Sequence, residues 1–191
     1  PVLVPVKLTA RRITGVGNVA GGILANIEVS GALRVTAKAL TGDGLAFRSD
    51  KLSGKLNLYV DLATGRYEVG MAGQLQRYLI PGLGIVDVKS ELKAIPGPGG
   101  HGTQIVGRGQ AWVRRLDNSF LAGLTRGLPS IDTGLVRGPD GIVRFVGLKL
   151  SSPGLSLSGG GYRRHDGTFF FEGNGRQAQY GQIARFVLDG R

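Results

Sequence analysis

Cysteine is absent from the 191 residues, and histidine occurs only at His101 and His165. The first absence excludes a disulfide scaffold, Cys-ligated zinc or iron–sulfur sites, and thiol catalysis. Both histidines fall in segments that read as turns, with no second histidine or carboxylate cluster beside them to complete a metal site. Acidic residues are scarce, 13 Asp+Glu against 24 Lys+Arg, giving a net charge of +11 and a pI near 10.6. Aromatics make up 7% of the chain and do not interleave with the cations as a nucleic-acid stacking surface requires. No apolar run reaches the ~20 residues of a spanning helix, because the charge-free stretch Ile13–Ile27 is short and interrupted by glycines. The chain opens on Pro1-Val2-Leu3-Val4-Pro5 without a cationic leader and stops at Asp189-Gly190-Arg191, directly after an apolar strand pattern. Both ends therefore read as cuts within a longer polypeptide, with 1–191 a single segment and no internal linker.

Glycine is what the chain has in excess, 34 of 191 residues against a usual ~7%, without the Gly-X-Y period of collagen. The hydrophobic content of 41% is too high for a disordered chain. The dominant period is two. In Lys55–Leu62, Leu56, Leu58, Val60 and Leu62 share one face, opposite Lys55, Asn57, Tyr59 and Asp61. After the turn Ala63-Thr64-Gly65, Tyr67, Val69, Met71 and Leu75 return on the dry side, which predicts an antiparallel hairpin. A second hairpin sets Val86, Val88 and Leu92 against Asp87, Lys89, Glu91 and Lys93, turns at Pro96–Gly100 and returns over Thr103–Trp112. A third joins Gly154–Arg163 to Thr168–Gln177 through Asp166-Gly167, and Pro139-Asp140-Gly141 turns into a strand at 142–150.

A small signature of apolar residue, spacer and glycine recurs, as in Val29-Ser30-Gly31, Leu52-Ser53-Gly54, Met71-Ala72-Gly73, Ile105-Val106-Gly107, Leu157-Ser158-Gly159, Phe171-Glu172-Gly173 and Leu188-Asp189-Gly190. It reads as a degenerate repeat of strand units, with the glycines near strand ends and a strongly curved sheet as the consequence. Helical spacing occurs at 114–124, where Leu116, Phe120, Leu121 and Leu124 share a face, and more weakly at 19–27. The expected fold is all-β: one long curved antiparallel sheet of about ten strands, with one short helix around 114–124.

No catalytic constellation emerges. Gly15-Val16-Gly17-Asn18-Val19-Ala20 matches a dinucleotide fingerprint but lacks the βαβ context, and Gly97–Thr103 lacks the Gly-Lys-Ser/Thr ending of a phosphate loop. Asp87 and Glu91 fall on the wet face, as partners for Lys and Arg rather than an acid–base couple. The positive charge reads first as a solvated surface, then as affinity for anionic headgroups or an acidic partner, and last as nucleic-acid binding. The dry face carries more information. Such a sheet either closes on itself as a sandwich or barrel, or folds lengthwise into an open trough where lipid tails replace a second layer. The trough would be lined by Leu56, Leu58, Val60, Leu62, Val69, Met71, Leu75, Val86, Val88, Leu92 and Val106, the register of Val106 resting on the weakest alternation.

Four runs carry a resemblance: Gly54–Gly65, Arg77–Val88, Gly107–Leu116 and Tyr162–Gly173. In order and spacing they resemble the TamB-type AsmA-like translocation and assembly proteins of alphaproteobacteria. The resemblance implies an internal segment of a long periplasmic protein anchored in the inner membrane outside this chain. It further implies an open β-groove of the β-taco kind, phospholipid as cargo between inner and outer membranes, and no enzymatic activity or cofactor. An alternative role is a scaffold for outer-membrane β-barrels or autotransporters, built by adding their strands to a sheet edge. Exposed edges also predict dimerisation of the segment, and no nucleic-acid partner is expected.

Overall fold

The computed structural model describes residues 1–12 and 25–191. The first six strands are β1 (Val2–Arg12), β2 (Ala25–Val35), β3 (Ala39–Arg48), β4 (Leu52–Asp61), β5 (Tyr67–Ile80) and β6 (Gly84–Pro96). They are followed by β7 (Thr103–Leu116), helix α1 (Ser119–Thr125), β8 (Ser130–Arg137), β9 (Val143–Ser151), β10 (Leu155–Arg163), β11 (Phe169–Gln177) and β12 (Gly181–Gly190). All twelve strands form one sheet in chain order, each antiparallel to the next. The sheet is curved and does not close, since β1 and β12 each pair on one side only.

Local chemistry sets each reversal. After β4 the Asp61 carboxylate accepts from the backbone N–H groups of Ala63 and Thr64 at 2.9 and 3.0 Å. Gly65 then takes the left-handed φ of 70° that a side chain would resist. Between β10 and β11 the Asp166 carboxylate accepts from the Thr168 N–H, with Gly167 at φ 89°. The hairpins expected at 55–75, 86–112 and 154–177 are β4–β5, β6–β7 and β10–β11.

Two expectations need correction. The helix begins at Ser119 rather than near 114, because Arg115 and Leu116 still pair with Ile85 and Gly84 in the sheet. Its start is set by Asn118, whose side-chain oxygen accepts from the Leu121 N–H at 3.0 Å. Its end is Arg126, left-handed at φ 50° and donating its N–H to the Ala122 carbonyl. The second expected helix, at 19–27, lies outside the described residues except for 25–27, which belong to β2; the glycine fingerprint at 15–20 lies outside them too. The signature glycines mostly sit inside strands rather than at their ends: Gly31, Gly54, Gly73, Gly107, Gly159 and Gly173 are all interior.

That interior placement explains the curvature. On one face Gly54 pairs with Gly73, Gly73 with Ser90, Ser90 with Gly109 and Gly109 with Thr133. Further along, Leu148 pairs with Gly159 and Gly159 with Gly173. A line poor in side chains thus runs across the strands, and register shifts fall on it at Asp132/Gly134, Gly159/Gly161 and Gly173/Gly175. A methyl group added at Gly54 would collide with the Ala72 carbonyl oxygen, and one at Gly159 with that of Glu172. Strands bend there because nothing projects to stop them.

Candidate functional site

The register gathers the apolar residues on one face of the sheet. Leu52 stands beside Leu75, Leu56 beside Met71, Leu58 beside Val69 and Val60 beside Tyr67. The stripe continues through Leu75–Val88 and Met71–Leu92 to Val86–Val113 and Val88–Ala111. On the other flank it passes through Leu45 and Phe47 to Val29 and Leu8. Of the expected lining residues, Leu56, Leu58, Val60, Val69, Met71, Leu75, Val86, Val88 and Leu92 lie together on this face. Leu62 lies just past the end of β4, half exposed, with its N–H bonded to the Lys38 carbonyl at the rim.

Val106 is a correction. It pairs with Lys93 and Val136, on the opposite face from Leu92, while Ile105 takes the inner position beside Ala94. Gln104, Arg108 and Gln110 share the parity of Val106 and mark its side as the wet one, but the adjacent β-branched pair Ile105-Val106 masks that phase when read alone.

Burial shows how this face is shaped. The buried hydrophobics, Ile27, Leu45, Phe47, Leu52, Val86 and Val113, all belong to it. Among the described residues no side chain is fully buried, and no second layer of strands lies over the face. Ile27, Phe47 and Leu52 form a small cluster with Val29, Leu56, Met71 and Leu75 around it. The side chains thus shelter one another across a concave surface. The face was only partly visible beforehand: Ile27, Leu45, Phe47 and Leu52 extend it, as do Phe145, Phe169 and Phe171 in the last strands. The signal at Leu52 was available, since it continues the 54, 56, 58 period. Phe169-Phe170-Phe171 hid its own phase, because three aromatics in a row do not alternate.

The polar face holds the ion pairs. Asp87 meets Arg114 at 2.7 Å, Glu68 meets Lys93 at 2.9 Å, Asp132 meets Arg108 at 2.6 Å and Glu172 meets Arg185 at 2.8 Å. Backbone N–H groups and arginines hold Asp61 and Asp87 below the ordinary carboxylate range, and Arg108 does the same for Asp132. A shallow depression of about 490 Å³ behind the glycine line is edged by Lys55, Lys89, Glu91 and Arg108, of mixed sign. Among the described residues no cluster of His, Asp and Glu is placed to hold a metal ion, and no helix is long and apolar enough to cross a membrane. No protein family, no curated protein and no solved structure matches this chain.

Proposed function

We propose that this chain is a non-enzymatic lipid-conduit segment whose apolar groove holds phospholipid acyl chains in transit between the inner and outer membranes of a bacterial envelope. The observation that carries this reading is an apolar face running across twelve strands, with no layer of protein upon it among the described residues. Left open, that face would be covered by water. Sheltering even about ten methylenes there is worth about 8 kcal/mol before the cost of ordering the chain. The resemblance to TamB-type AsmA-like proteins agrees with a periplasmic location and with an anchor outside this sequence.

The test is native mass spectrometry of the chain purified without detergent from a Gram-negative host. Phospholipid should accompany the wild type and be lost from Leu58→Asp and Val60→Asp variants that stay soluble and folded. Variants that unfold like ordinary core mutants, or a lipid-free wild type with a sharp cooperative melt, would sink the conduit. A second reading rests on the unpaired backbone edges of β1 and β12, which suit β-augmentation by strands of outer-membrane barrels. Photo-crosslinks to unfolded barrel strands that map to those edges, and persist in Leu58→Asp, would favour it.

A further inference from the structure

Only two charged strand residues project onto the apolar face among the described side chains, Arg137 of β8 and Arg163 of β10. Both pair with Val143 of β9, so one valine separates them and their backbones stand about 10 Å apart. Nearby arginines of the polar face, Arg108, Arg144 and Arg185, each hold a carboxylate. Arg137 and Arg163 hold none among the described residues. A guanidinium without a counter-ion on an otherwise apolar face is an anion site in waiting, because its forked donors suit phosphate oxygens.

What lies next to the pair identifies the anion. Phe169 stands beside Arg163 at this rim, and one step inward along the strands the arginines give way to Phe145 and Phe171. Phe145 lies 5.2 Å from Phe171, and Phe169 lies 6.1 Å from Phe171, between ring centroids. Phe145 and Phe171 meet because Gly161, the residue between them in the sheet, has no side chain. Positive rim, aromatic floor and aliphatic depth follow the order of phosphate, glycerol and acyl chain in a single lipid.

We infer that Arg137 and Arg163 form a headgroup clamp that selects glycerophospholipids of net negative charge over zwitterionic ones. The inference rests on the groove holding lipid. A zwitterionic headgroup offers the same phosphate already compensated by its own ammonium, so two unpaired guanidiniums favour the anionic one.

The test incubates the full chain with vesicles of phosphatidylglycerol and phosphatidylethanolamine in equal amounts, re-isolates it and counts both lipids by mass spectrometry. Wild type should carry phosphatidylglycerol enriched about fivefold over the vesicle ratio. The double variant R137Q/R163Q should fall to the vesicle ratio while total lipid per chain stays the same, and Arg163→Gln alone, at an exposed position, should lose part of the enrichment. The control R34Q/R176Q, on the polar face, removes the same charge and should leave the enrichment intact. Unchanged enrichment in R137Q/R163Q, or an equal fall in the control, overturns the clamp and leaves the groove standing. Wild type without any lipid overturns both.

Discussion

The Asp87 carboxylate accepts from the Arg77 N–H at 2.8 Å with one oxygen and from Arg114 Nε at 2.7 Å with the other. Arg77 is left-handed, φ 52°, where β5 shifts register against β6, and Arg114 is the extra residue where β6 shifts against β7. One side chain therefore ties two irregularities on either side of its own strand. The Arg77 N–H, then the Arg114 guanidinium, lower its pKa in the folded state. A lowered folded pKa means that this contribution to stability is complete above the ordinary carboxylate range near 4 and is lost progressively as pH falls from there through the lowered folded-state value. Melting temperature followed from pH 7 to pH 3 should drop for wild type, and Asp87→Asn should melt lower at pH 7 and lose less of its stability on acidification. Parallel curves for the two proteins would show that the carboxylate's charge does not hold the bulges. At this scale most of the inner face was legible, because a residue's face follows from its parity within a strand. Val106 follows the same rule, since Gln104 and Arg108 share its parity, whereas the isolation of Arg137 and Arg163 on the apolar face depends on the partners opposite them.

Strands and turns were legible for the same local reason. Alternation in 55–62 and 86–93, with Ala63-Thr64-Gly65 and Pro96–Gly100 between arms, defines hairpins without reference to anything distant. The helix start was mis-set because its apolar spacing runs back into β7, and only cross-strand pairing to Gly84 and Ile85 shows that the strand continues to Leu116. Glycine within an element has a sign that its surroundings decide. Gly54 faces the Ala72 carbonyl, so Gly54→Ala should destabilise by about 2 kcal/mol, as overpacking does. Gly123 lies in α1 with nothing within 4 Å of an added methyl, so Gly123→Ala should stabilise by about 0.5–1 kcal/mol. Urea melts of both variants check the contrast, and an equal effect at the two sites would refute the bend line as a packing constraint.

The whole molecule exposes 12170 Å², whereas a compact monomer of 20.1 kDa exposes about 8,700 Å². That excess is the surface a second layer would have removed, and it distinguishes an open groove from a sandwich of the same strands. Eleven strand-to-strand steps across the sheet give a length of about 50 Å, and a compact chain of this size would have a radius of gyration near 16 Å. Small-angle scattering should return a radius near 20 Å for the monomer, with a length that doubles if edges β1 and β12 join end to end. A radius of 16 Å would mean that the sheet closes in solution.

Alternation, turn chemistry and the glycine count are properties of neighbours in the chain, so they were enough to establish an antiparallel sheet with one dry face. Whether that face is covered is a sum over twelve strands of small twists and bends, and it appears only when glycines distant in sequence line up across the sheet. The same holds for the two arginines. Their positions 26 residues apart along the chain become one site because β9 places Val143 between them.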